Sequence, residues 1–215
     1  MADNSIQTTL IIGASSSFGK VISERLFKTG HSLVLTHSGV GEYRPPKGIV
    51  GSVMTLDVTD PDAVDSVLSD CDPVNNVVYS VAAPIEFKKF SQESWEDYEA
   101  HWQTQVKGLW HVAQALLAHK HPLRRIFVLG SAITNHSMPR LGPYLTAKHA
   151  LVGLCEALGL ELKYRGIMVT QYSPNATGKG LSKDFPRVML EMEGSFAEKL
   201  TPEDIAVDIE KECRQ

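Results

Sequence analysis

Three cysteines in 215 residues, Cys71, Cys155 and Cys213, are too few and too widely spaced for a disulfide framework. They form no CxxC pair and no zinc-like spacing, and read as buried, inert thiols. The chain also lacks any apolar run near the ~20 residues that a membrane span requires. Its first residues, "MADNSIQTTLIIG", have no basic segment ahead of a long apolar one, so the expected location is cytoplasmic. There is no excess of positive charge: 21 Lys and Arg stand against 25 Asp and Glu, a net charge of -4 spread along the length. No basic stripe is available for nucleic acid or for an anionic membrane, and neither is an expected partner. Eight histidines are present without HExxH or a comparable ligand set, and "HKH" at 119–121 falls at a helix end, where cations complement the helix dipole. No metal site is expected. Internal repeats, low-complexity tracts and interdomain linkers are missing too. What remains is a chain of 43% hydrophobic and 21% charged residues, close to the globular average and long enough to fold as one domain over residues 1–215.

Short β-rich runs alternate with longer stretches of helical period, the pattern of βα units around a parallel sheet. Six strands are predicted: 8–12, 32–36, 52–56, 76–80, 125–130 and 167–172. Several are apolar almost throughout, as strands covered on both faces must be. Between them, "GKVISERLFKTG" repeats apolar residues at Val21, Ile22, Leu26 and Phe27 and stops at Gly30. "DPDAVDSVLSD" reads as a short helix with Pro61 in its first turn. Two long helices follow, one from "SWEDYEAHWQ" to "HKH" with Trp95, Trp102 and Trp110, the other from Tyr144 to Gly166. A last helix starts at "TPED", with Thr201 as cap and Pro202 at its first position.

Directly after the first strand, "GASSSFG" (Gly13 to Gly19) opens a helix. A strand, a tight turn and a helix N-terminus are what a dinucleotide's pyrophosphate requires, because free N–H groups and the positive helix end face the anion. Two glycines beside a strand also occur for reasons of turn geometry alone. Asp57 in "LDVTD" lies at the carboxyl end of the third strand, where open α/β sheets place their ligands. It reads as an acceptor for an adenine amino group or, alternatively, as a helix cap, a role that Asp60 or Thr59 fills more naturally.

Taken in order, these motifs resemble the classical short-chain dehydrogenase/reductase family over about residues 8–204. The series is "GASSSFG" after strand one, "DVTD" after strand three, Ser131 at the end of strand five, "YLTAK" thirteen residues on and "SPNAT" after strand six. The resemblance implies a three-layer αβα Rossmann fold with a doubly wound parallel sheet, here expected to have six strands without the family's usual seventh. It implies hydride transfer between a nicotinamide and a carbonyl or alcohol of a small organic substrate. Chemistry supports the same roles: the alkoxide left by hydride addition needs an acid, and Tyr144 is the candidate. A free phenol titrates near ~10, and an ammonium nearby lowers that value. Lys148, one helical turn on, presents that ammonium on the same face. Ser131 would donate a hydrogen bond to the substrate oxygen. Taken alone, YxxxK is more often an ordinary helix contact.

The resemblance also implies a cofactor cradle of Gly13, Ser15, Ser16, Ser17, Phe18 and Gly19, then Thr36, His37 and Ser38, then Asp57 and Val58, then Ser80, Val81 and Ala82, and finally Pro174, Asn175 and Thr177, with Tyr144 and Lys148. After strand two there are donors and no carboxylate, so NADP(H) is favoured over NAD(H). Ala132, Ile133, Met138, Met189 and Met192 are candidates for an apolar substrate wall, with a substrate-covering segment at about 178–200. The alternative for the methionines is the packed side of a short helix. Arg140 reads as a carboxylate contact or a solvated rim residue. Ser17 stands where the family has a middle glycine, "YSVA" (79–82) where it has "NNAG", and Gln105 where it has a catalytic asparagine that supports a water-mediated proton relay. Those substitutions keep open a rival reading, a cofactor-binding sensor with weak or no catalysis. An epimerase or dehydratase on the same scaffold is a third. The apolar surface of the two long helices suggests a homodimer, with core burial as the alternative.

Overall fold

The computed structural model describes residues 6–176, Ser182, Phe185 and 200–215. Six parallel strands form one sheet: β1 (Thr8–Ile12), β2 (Ser32–His37), β3 (Ser52–Thr55), β4 (Asn76–Tyr79), β5 (Arg125–Leu129) and β6 (Met168–Tyr172). Their spatial order is β3-β2-β1-β4-β5-β6. The order reverses between β1 and β4, the switch point at which open α/β sheets form a crevice beyond their carboxyl ends.

Alternation along the strands divides the core into two layers. Leu10 and Ile12 of β1 face one side, with Val77, Val128 and apolar residues of α2 (Pro61–Asp70), α4 (Gly108–Ala118) and α5 (Gly142–Leu162). Ile11 faces the other side, with Val78, Phe127 and residues of α1 (Ser17–Lys28) and α6 (Pro202–Cys213). The expected three-layer Rossmann arrangement with six strands is what the described residues form. Their helices include none long and apolar enough to cross a membrane.

Caps set the helix starts as the sequence suggests. Asp60 accepts from the N–H groups of Asp62 and Ala63, and Thr201 from that of Asp204. On α6, Glu210 pairs with Arg25 of α1 and with Arg214, while Glu212 accepts from Arg125, Thr170 and Tyr172. One carboxylate thereby ties the last helix to β5 and β6.

The long helix expected from Ser94 to His121 is not continuous. It consists of α3 (Trp95–Trp102), a π-turn (Gln103–Lys107) and α4. Such a turn inserts one residue into the helical register, and tertiary partners hold it. The Tyr79 hydroxyl donates to the Thr104 carbonyl at 2.5 Å. Gly108 passes beneath that hydroxyl, and a Cβ there would also lie 2.8 Å from Val58 Cγ2. Burial is not the fate of the three tryptophans: Trp95, Trp102 and Trp110 are 72, 43 and 45% exposed.

Candidate active site

A cavity of about 910 Å³ opens beyond the carboxyl ends of the strands, near the upper end of the range for ligand sites. At one end lies the turn after β1. Gly13 has φ +84°, and a Cβ on it would collide with the Ser80 carbonyl and come within 2.7 Å of Val81 Cγ1. Only glycine lets the chain turn this close to β4. Ser16 caps α1 by accepting from the Gly19 N–H at 2.8 Å, and its hydroxyl meets that of Ser80 at 2.9 Å. The turn is thus fastened to β4 by the serine that stands in the family's second asparagine position. Ser17 is the first residue of α1, with no positive φ to maintain, so a side chain costs the turn nothing. This cradle of serine hydroxyls and helix-start N–H groups fits a dinucleotide's pyrophosphate.

Ser15, Ser16, Ser17, Phe18, Ser38, Asp57, Val58, Ser80, Val81, Ala82, Pro174 and Asn175 line the cavity, as does Gly13. Thr36 and His37 do not. Thr36 is fully buried with its hydroxyl on the Ile11 carbonyl, and His37 accepts from the Gly39 N–H and packs on Tyr43. The strand runs to His37, so Thr36 still lies within the sheet, and Ser38 is the first residue free to face the ligand. Gly19 lies behind the lining, where a Cβ would come within 2.8 Å of Ala14 Cα. Asp57 accepts from the N–H and hydroxyl of Thr59. Thr177, Met189 and Met192 lie outside the described residues.

At the other end stand Ser131, Tyr144 and Lys148. Ser131 follows β5 and begins a short 3-10 turn (Ala132–Thr134), its hydroxyl oxygen accepting from the Ile133 N–H at 3.4 Å. The Ser131 proton stays available to an acceptor in the cavity. Helix α5 starts at Gly142, two residues before Tyr144. A Cβ at Gly142 would lie 2.7 Å from the Tyr98 hydroxyl and 2.8 Å from a Glu93 carboxylate oxygen, so the helix start is pressed against α3. Lys148 is buried, donates to the Leu129 carbonyl at 2.9 Å, and its Nζ lies 5.6 Å from the Tyr144 ring centroid. Burial drives its ammonium down to about 7.

Ile133 and Met138 line the cavity near Tyr144, joined by Ile85 and Phe185, which the sequence did not single out. Phe185 meets Phe87 edge to face at 4.9 Å. Ala132 is buried beside this wall without lining it. Gln105 is also buried off the cavity, within the π-turn, so it is neither the surface residue its helix position allows nor a direct lining group. Its amide meets His101 Nδ1 at 3.0 Å, and the His101 ring stands edge-on to Tyr144 at 5.7 Å. The i, i+4 spacing of His101 and Gln105 was the one signal for this pair. No group of three or more His, Cys, Asp or Glu residues suited to a metal occurs among the described residues.

The model of short chain dehydrogenases matches residues 7–187, most of the chain. The chain belongs to the short-chain dehydrogenase family. Among curated relatives it is similar to the 3-oxoacyl-(acyl-carrier-protein) reductase FabG of Vibrio cholerae, 24% identical over 190 residues, which covers 82% of this chain and 76% of the relative. Among solved structures it is similar in fold to a 3-ketoacyl-(acyl-carrier-protein) reductase from Brucella melitensis complexed with NADH, with a TM-score of 0.81, 21% identity, and 96% of this chain and 90% of that one covered. It is likewise similar to an alcohol dehydrogenase from Thermococcus sibiricus complexed with 5-hydroxy-NADP, with a TM-score of 0.77, 20% identity, and coverages of 98% and 92%. In this short-chain dehydrogenase, Gly13 of the turn and the Ser131, Tyr144 and Lys148 side chains line one cavity. Tyr79 reaches the π-turn that contains Gln105 through the Thr104 carbonyl.

Proposed function

We propose that the protein is an NADPH-dependent reductase of a carbonyl group on a small organic molecule. The observation that carries this reading is the Lys148 ammonium, buried in a cavity wall over the Tyr144 ring and beside Ser131, where a solvated helix contact would have no reason to be. The bound nicotinamide supplies the hydride that adds to the carbonyl carbon. Ser131 donates its hydroxyl proton in a hydrogen bond to the carbonyl oxygen, and Tyr144 transfers a proton to that oxygen as negative charge develops. Lys148 spends one of its three N–H donors on Leu129 and keeps two, one of them for a ribose hydroxyl of the cofactor. Its charge favours the phenolate that Tyr144 becomes. Ile85, Ile133, Met138 and Phe185 offer an apolar surface to the rest of the substrate.

Preference for NADPH rests on the end of β2. Ser38 is the lining residue there, residues 36–41 include no carboxylate, and Glu42 is engaged by Arg44 at 2.7 to 2.9 Å. A carboxylate at that point would repel a 2'-phosphate. The half-exposed Trp102 and Trp110 support assembly as a homodimer through α3 and α4, which sedimentation at several concentrations would test.

A panel of ketones and aldehydes assayed with NADPH and NADH tests the reading. Reduction with a higher kcat/KM for NADPH, lost by roughly 10² to 10⁴ in Tyr144→Phe, is expected. Clear preference for NADH would overturn the cofactor assignment. Tight NADPH binding with no turnover of any carbonyl would leave a nucleotide sensor.

A further inference from the structure

Gln105 occupies the position at which the family carries a relay asparagine, and its surroundings differ from a simple lengthening of that side chain. The residue is fully buried, and its Oε1 has no hydrogen-bond partner among the described residues. An amide donates only through nitrogen, so the 3.0 Å contact between Gln105 Nε2 and His101 Nδ1 requires the imidazole to accept at Nδ1 and carry its proton on Nε2. His101 is itself buried, with an exposure of 5%. Burial first, and the charge of Lys148 second, push its basicity down to about 4, against a smaller opposing effect from Asp97. The ring is therefore neutral, and a neutral ring is the form with an acceptor to offer. In this arrangement the Gln105 oxygen is left without a partner among the described residues.

Buried polar atoms without partners are rare, and a polar site of this kind ordinarily holds an internal water. We propose that His101 is a positioning residue: it fixes the Gln105 amide so that Oε1 holds an internal water on the path by which protons return to Tyr144. Lys148 uses one donor on the Leu129 carbonyl and acts on His101 through its charge, and one of its two remaining donors is assigned to that water. Tyr144 gives its proton to the nascent alkoxide and must recover one from solvent before the next turnover. The water held at Gln105 takes part in that return, with no net change in atoms or electrons. This assignment rests on the reading of Tyr144 as the acid, and extends it to residues the tyrosine–lysine motif does not contain.

Two measurements test it. In the cofactor-free protein labelled with ¹⁵N-histidine, His101 should show the Nε2–H tautomer and no titration between about pH 5.5 and 9. The Nδ1–H tautomer, or a midpoint within that range, would sink the proposal. In carbonyl reduction with NADPH, His101→Phe should lower kcat by about tenfold or more and raise the solvent deuterium isotope effect on kcat. KM for the carbonyl and Kd for NADPH should stay within about twofold. His101→Asn, whose side-chain oxygen can replace Nδ1 as acceptor, should restore most of kcat and the isotope effect of the wild type. Unchanged kcat and isotope effect in the Phe variant, or a failure of Asn to rescue, would overturn the role, and Gln105→Met provides the same reading should the Phe variant not fold. A wild type that reduces no carbonyl would count against the reductase reading, whereas an active wild type with the wrong tautomer would count against His101 alone.

Discussion

The hydroxyl of Tyr79 at the end of β4 donates to the backbone carbonyl of Thr104, one residue before Gln105. An inserted residue disturbs the regular helical ladder, and here a phenol from the sheet satisfies a carbonyl of the turn. Full burial pushes the Tyr79 hydroxyl well above its ordinary range, so it remains a donor at every working pH. Tyr79→Phe removes the donor and keeps the ring. The expected cost is about 1 to 3 kcal/mol in denaturant melts, the penalty of a carbonyl left unpaired. Loss of the π-turn's anchor should also lower kcat. Equal stability of variant and wild type would show that the bond contributes nothing net.

Lys148 makes stability depend on pH in a direction fixed by its burial. Its folded value of about 7 lies below the ordinary 10.5. At and below about pH 7 the folded chain bears the whole cost of a buried ammonium. Between about pH 7 and 10.5 the unfolded chain binds more protons, so the wild type gains stability as pH rises. Lys148→Met lacks this dependence. Relative to the wild type, the variant should melt highest at about pH 7 and lose that advantage steadily towards pH 10, as thermal scans at several pH values would show. A Tm difference that does not vary with pH would contradict the assignment.

Gly13→Ala puts a methyl group against the Ser80 carbonyl at φ +84°. Strain of about 1 to 3 kcal/mol follows. The turn must shift away from β4, and NADPH affinity measured by fluorescence titration should fall about tenfold or more. Unchanged affinity would mean that the turn does not hold the nucleotide.

Ser17→Gly tests the opposite substitution, a return to the family's middle glycine. Because Ser17 already has helical backbone, no conformational relief is gained. NADPH Kd should stay within about twofold, and the melting point should fall slightly, since glycine in a helix costs about 0.5 to 1 kcal/mol. A marked tightening of cofactor binding would show that the serine side chain obstructs the site.

Strand positions were legible because a sheet covered on both faces demands apolar runs, and each predicted strand lies within two residues of the observed one. The caps at Asp60 and Thr201 were legible for local reasons, each depending on N–H groups two or three residues away. The π-turn was not, because its causes, Tyr79 and the close passage of Gly108 by Val58, lie far apart in sequence. Alternation along β2 leaves Thr36 inside the sheet, a placement that the motif position obscured. The role of His101 is not legible in the sequence, because a histidine on a helix that also carries three tryptophans gives no sign of which face turns inward until the turn at 103–107 is known.

Inserting one residue also resets the phase of everything after it. On an uninterrupted helix, residues eight apart differ in direction by about 80°; with one residue absorbed by a wider turn, they come within about 20° of the same line. Trp102 and Trp110 stand eight apart on either side of the π-turn, with nearly equal exposure of 43 and 45%. The same single-residue insertion that turns Gln105 inward therefore aligns two indoles on the outside, so that removing it would alter the site and the outer surface together.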